Sequence, residues 1–146
     1  MNAIEKFTES ILNLEAGSHV VYFYQNAQER RDVLSPVVAE GLRRNYGCIF
    51  ASWSKSRNRL ELAVREEVGA AYFEKLYKSG QLVLLTEEAY FAPCGTISFE
   101  RGKRNCKLAV ERLSERGCPK AFIIGDMKWV KCITTLSIRI GRTFRP

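Results

Sequence analysis

The run Ala121-Phe122-Ile123-Ile124-Gly125-Asp126 constrains the fold of this chain more than any other segment. A strand with no polar alternation has no face to give to water. Both of its faces must be covered, which is the sequence form of a parallel sheet flanked by helices. The strand stops on a carboxylate, Asp126, and then presents Met127, Lys128 and Trp129. In an open α/β sheet the carboxyl ends of such strands are where ligands sit. Its counterpart is Ser18-His19-Val20-Val21-Tyr22-Phe23-Tyr24, which carries the only histidine and ends on aromatics. We read that run as a second central strand.

Around these two runs the periodicity alternates. Ile4, Phe7, Ile11, Leu12 and Leu14 have helical spacing, closed by Gly17. Asn26 reads as a helix N-cap with Glu29 three residues on, a near capping box. The helix it starts runs to about Asn45, with Val33, Leu34, Val37, Val38, Gly41 and Leu42 inward. Pro36 inside it predicts a kink. Cys48 to Ser52 and Leu82 to Thr86 read as strands, separated by a helical pair broken near Gly69. Glu87 to Thr96 is irregular, and Ser98 starts a helix through Arg116. Near the end, Leu136, Ile138 and Ile140 alternate with Ser137, Arg139 and Gly141, as a half-exposed antiparallel edge strand would. The expected class is therefore α/β, with a mainly parallel central sheet and helices on both faces. With 146 residues and no linker-like stretch, the chain reads as one domain, residues 1–146.

Several functions are disfavoured by what the residues lack. A phosphate loop needs glycines, so that backbone N–H groups can approach the phosphates, together with a Lys and a Ser or Thr. The turn Tyr24-Gln25-Asn26-Ala27-Gln28-Glu29-Arg30-Arg31 has none of these. Glu29 also puts a carboxylate where a bound anion would be welcome. With one histidine, no Cys-x-x-Cys pair and no Gly-x-Ser-x-Gly elbow, neither a metal site nor a catalytic set is signalled. We expect no cofactor and no catalysis. The five cysteines are odd in number and widely spaced, which suits reduced thiols, with Cys94 the candidate for a redox role. No apolar run nears the ~20 residues that span a bilayer. The N-terminal residues show no secretion pattern, so a cytoplasmic location is expected. The net charge of +7 is scattered among acidic residues on helices, as on a solvated surface. A basic nucleic-acid adaptor using Arg139, Arg142 and Arg145 stays open as an alternative.

Taken in order, Gly17 to Tyr24, Glu40-Gly41-Leu42 with Cys48-Ile49-Phe50, Gly80-Gln81-Leu82, Glu88-Ala89-Tyr90 and Gly125 to Trp129 resemble the MEDS domain. That is the sensory domain named for methanogens, methylotrophs and a dichloromethane-responsive regulator. The resemblance covers roughly residues 15 to 131. It implies a relative of RecA- and KaiC-type ATPases that has lost the phosphate loop. It also implies a sensory role, with a small organic molecule or a partner domain bound and a regulatory output. The family usually has Glu at the position of Asp126 and a small residue at that of Lys128. It also continues as a helix where residues 130–146 read here as short, basic and strand-like.

The expected site lies at the carboxyl ends of the first and fourth strands. Its candidate ligand-binding residues are His19, Tyr24, Glu88, Tyr90, Asp126, Met127 and Trp129. Tyr24 needs a partner for its hydroxyl when buried. Tyr90 would form a rim and Trp129 an apolar wall. His19 would make a polar contact to ligand or to the carboxylate of Glu88 or Asp126. With the anion-gripping glycines and lysine gone, an uncharged small organic ligand is expected. The partner would be a separate regulatory protein, a kinase or a DNA-binding regulator. A homodimer through a sheet edge is a further expectation. The alternative in a different class is a degenerate ATPase-like module that still holds nucleotide.

Overall fold

The computed structural model describes residues 1–52, 54–86, 99–126 and 133–139. Along the chain the elements are α1 (Ala3–Leu12), β1 (His19–Phe23), α2 (Ala27–Arg43), β2 (Gly47–Ser52) and α3 (Ser54–Val68). They continue as α4 (Ala70–Ser79), β3 (Leu82–Thr86), α5 (Phe99–Glu115), β4 (Ala121–Asp126) and β5 (Ile133–Arg139). The strands form one sheet in the order β1-β5-β4-β2-β3. β2 pairs in parallel with both β3 and β4. β5 pairs antiparallel with both β1 and β4. The fold is α/β with a small parallel sheet, β3-β2-β4, and an antiparallel extension.

Two expectations are corrected here. β1 is the edge of the sheet and not a central strand, and β5 lies between β1 and β4 rather than at an edge. The reason lies in how the two faces are covered. Paired residues share a face, so Ile49, Ile123, Ser137 and His19 form one row across β2, β4, β5 and β1. On that side α5 contributes Val110 and Leu113 to a cluster with Ile49, Ala121 and Ile123, which includes no residue of β1. The other side is the larger core. There α1 to α4 supply Leu12, Leu34, Val38, Leu42, Val64 and Phe73 against Cys48, Phe50, Phe122 and Ile124. Full burial of a side chain such as Phe122 contributes roughly 1.5–3 kcal/mol. Val20 and Tyr22 of β1 pack against this core, whereas His19, Val21 and Phe23 are exposed. An apolar run alone does not distinguish a strand buried on two faces from one buried on a single face.

Local chemistry sets the element ends. At the N-terminus of α1, Asn2 and Glu5 form a full capping box: the Glu5 amide donates to Asn2 Oδ1 at 2.9 Å, and the Asn2 amide donates to Glu5 Oε2 at 2.7 Å. The far end of α1 is held by Lys120, whose Nζ donates to the Leu12 carbonyl at 2.9 Å. α2 runs as one element through Pro36. Gly69, at φ 90°, separates α3 from α4 where the sequence puts the break. Gln81 Nε2 donates to the carbonyls of Leu42 and Tyr46, at 3.1 and 3.0 Å, and so closes the end of α2. Gly41 lies where an added Cβ would come within 2.4 Å of the Phe122 ring, so α2 packs closely on β4 only because this residue has no side chain. Among the described residues no helix is long and apolar enough to cross a membrane.

Candidate ligand-binding end of the sheet

At the carboxyl end of β1 an aromatic row leads from α1 to α2. The rings of Phe7 and Tyr22 are 6.1 Å apart, and those of Tyr22 and Tyr24 are stacked at 6.3 Å. Beyond them the guanidinium of Arg30 lies 6.0 Å from the Tyr24 ring centre, within cation–π range. Arg30 belongs to the second turn of α2 and is only 5% exposed. A fixed positive charge is thus built in next to Tyr24.

The β1–α2 turn is organised by Glu29. Its amide donates to Asn26 Oδ1 at 2.9 Å, which makes Asn26 the N-cap expected from sequence. Its carboxylate does not return to the Asn26 amide as a capping box would. Instead Oε2 accepts the Gln25 N–H at 2.7 Å and Oε1 accepts the Tyr22 hydroxyl at 3.0 Å. A phosphate loop offers backbone amides and a helix N-terminus to a bound anion. Here an amide of the β1–α2 turn is taken by the chain's own carboxylate, which also lies favourably against the positive end of the α2 dipole. Tyr22 responds to this arrangement. Burial first, then the hydrogen bond to Glu29 and its negative charge, push the phenol up from 10.0 to about 12.

The register places the rest of the site. Tyr22 and Asp126 both pair with Thr134, so the end of β4 is level with Tyr22. Two strand spacings, ~10 Å, separate them. His19 pairs with Ser137, in the row of Ile123, three residues before Asp126 and therefore ~10 Å down the sheet. His19 also shares the open face with Val21 and Phe23, opposite the face of Tyr22 and Tyr24. Tyr24 therefore lies at the same end of the sheet as the last residue of β4, and His19 lies on the other face. Asp126 is the last residue of β4. Glu88, Tyr90, Met127 and Trp129 lie outside the described residues, as do Cys94, Arg142 and Arg145.

Sequence reasoning did not single out Arg30 as a site residue, nor Tyr22 and Glu29 as a bonded pair. The signal for Arg30 was present: it lies one turn before Leu34, so it continues the inward stripe of Leu34, Val37, Val38 and Gly41. Its charge also qualifies the expectation of a site suited to uncharged ligands. A separate concavity of about 290 Å³ lies at the β3 side, lined by Glu61, Phe73, Glu74, Tyr77 and Leu84, away from the expected site. Cys48 and Cys118 are buried thiols, and burial pushes both upward, away from the reactive thiolate. Among the described residues no group of three His, Cys, Asp or Glu could hold a metal ion.

No curated protein and no solved structure matches the chain. Residues 18–135, from the residue before β1 into β5, match the model of the methanogen/methylotroph, DcmR sensory domain. That span contains Tyr22 and Tyr24 of the aromatic row, the Glu29 turn and all three parallel strands, and the chain belongs to the MEDS family of sensory domains.

Proposed function

We propose that this chain is a non-catalytic sensor. It binds a small organic molecule at the carboxyl ends of β1 and β4 and passes the occupancy on to a separate regulatory protein. The observation that carries this reading is the β1–α2 turn of a domain in a sensory family. Its anion position is engaged by Glu29, and the neighbouring surface is an aromatic row ending on Tyr24 and Arg30. Such a surface suits an apolar or aromatic body with one polar group, whereas a triphosphate would meet a carboxylate. Tyr24 and Asp126 remain the residues proposed to face the ligand, with Glu88, Tyr90, Met127 and Trp129 completing the pocket. His19, on the opposite face, is proposed to act outside it. On this reading the fold descends from a RecA- or KaiC-type nucleotide cradle that has been refitted.

Melting curves test the reading. A ligand at a hundred times its Kd stabilises the native state by about 2.7 kcal/mol. A panel of small neutral organic molecules and small carboxylates should contain compounds that raise the melting temperature of the parent but not of Tyr24→Ala. Magnesium-ATP should leave both unchanged. Stabilisation by magnesium-ATP alone would overturn the proposal in favour of a nucleotide-binding module.

A further inference from the structure

Among the described residues β1 has a strand neighbour on one side only. Its outer edge therefore offers main-chain N–H and C=O groups to another strand. Natural sheets usually guard such an edge with Lys, Pro or an inward-pointing charge. β1 has no such guard. Between Glu15 and Glu29 the chain contains no Lys, Arg, Asp or Glu, although 27% of all its residues are charged. The open face of the strand carries two apolar side chains beside His19: Val21 is 51% and Phe23 69% exposed, and the α5 cluster does not reach them.

We infer that β1 is the two-fold interface of a homodimer, in which the β1 strands of two copies pair antiparallel through their outer edges and the sheet continues across both. The charge pattern selects this occupant. A net charge of +7 makes two copies repel over most approaches. At the β1 edge they meet without bringing charge against like charge. An antiparallel strand is also complementary to itself about a two-fold axis, so one surface serves both copies. β1 has five residues, so the axis falls at Val21. Val21 then meets its own symmetry mate, and Phe23 of each copy lies beside His19 of the other. Pairing of this kind gives the exposed Val21 and Phe23 an apolar neighbour, and it leaves the opposite face, with Val20 and Tyr22, packed on its own core.

Sedimentation of the full chain over a range of micromolar concentrations is the test. The parent should sediment as a dimer. Val21→Lys, which sets two ammonium groups face to face across the axis, should sediment as a monomer with an unchanged circular dichroism spectrum. Opposed positions in an antiparallel pair hold their Cα atoms about 4.5–5.5 Å apart, within disulfide reach. Val21→Cys should therefore cross-link under mild oxidation while the parent does not, and this arm stands even if Val21→Lys fails to fold. A parent monomeric at every concentration overturns the inference and leaves the edge to a different protein. A dimer that survives Val21→Lys, or a Val21→Cys chain that cross-links no more than the parent, places the interface elsewhere and overturns it too.

Discussion

Replacing Glu29 with alanine removes three favourable contributions at once. The carboxylate accepts a backbone N–H from Gln25 at 2.7 Å and the Tyr22 hydroxyl at 3.0 Å, and it lies in the first turn of α2. A hydrogen bond to a charged group contributes about 1.5–3 kcal/mol and a neutral one about 0.5–1.5 kcal/mol, with the higher values reserved for buried pairs. A charge at a helix N-terminus adds about 0.3–1 kcal/mol. Glu29 is half-buried and the Gln25 amide is exposed, so water can replace part of what is lost. Taking the part-buried Tyr22 bond at the low charged value, the exposed Gln25 bond at the low neutral value and the helix-end charge at its minimum, the expected cost is about 2 kcal/mol. For a chain of this length that corresponds to a fall in melting temperature of roughly 4–8 °C. Glu29→Gln keeps an acceptor for Tyr22 but loses the charge and should fall by about half as much. Urea unfolding and thermal melting of the three proteins give the answer. A melting temperature for Glu29→Ala within about 1 °C of the parent would refute the claim that this carboxylate holds the turn.

The same pair sets an alkaline limit on stability. Tyr22 holds its proton more tightly folded than unfolded, so its contribution is intact below pH 10 and declines as pH rises from 10 towards 12. Urea unfolding midpoints should drop across that window, and drop less steeply in Tyr22→Phe; parallel profiles for the two proteins would contradict the assignment. Gly41→Ala should lose about 1 kcal/mol or more in urea unfolding, even though alanine is the better helix former by about 1 kcal/mol. The added methyl would meet a Phe122 ring that is 1% exposed and packed edge-on against Tyr46 at 5.6 Å, so the ring has nowhere to move. An unchanged or raised stability would mean that α2 can shift away from β4.

How much of this was legible in the sequence depended on the kind of physics involved. The Gly69 break, the Asn26 cap and the β2, β3 and β4 strands follow from local rules, and each lies where those rules put it. Strand order is a different matter. His19 to Phe23 and Ala121 to Asp126 both read as unbroken apolar runs, yet β1 exposes alternate residues at an edge while β4 is paired on both sides. That difference is decided by which helix covers which face, and it is not written in the run itself. Gly41 and Gln81 stand in segments that carry the family resemblance, and both act by packing or by tying α2 to the sheet. In the candidate site, Tyr24 stands out in the sequence as an aromatic at a strand end, and it lies beside Tyr22 and Arg30. Arg30 could not be found by its charge, because so many arginines lie on helix surfaces; only its helical phase relative to Leu34 marks it as inward. The separation of His19 from Tyr24 needed only the two-residue period of a strand, which puts positions 19 and 24 on opposite faces.

The central claim is that the end of the sheet next to Tyr24 holds a small organic molecule and no nucleotide. Native mass spectra of the parent and Tyr24→Ala, purified identically, test it most directly. The account predicts a non-covalent adduct of low mass and without phosphorus on the parent, and bare protein for the variant. A nucleotide adduct, an adduct equally abundant on both proteins, or bare protein in both spectra would contradict it.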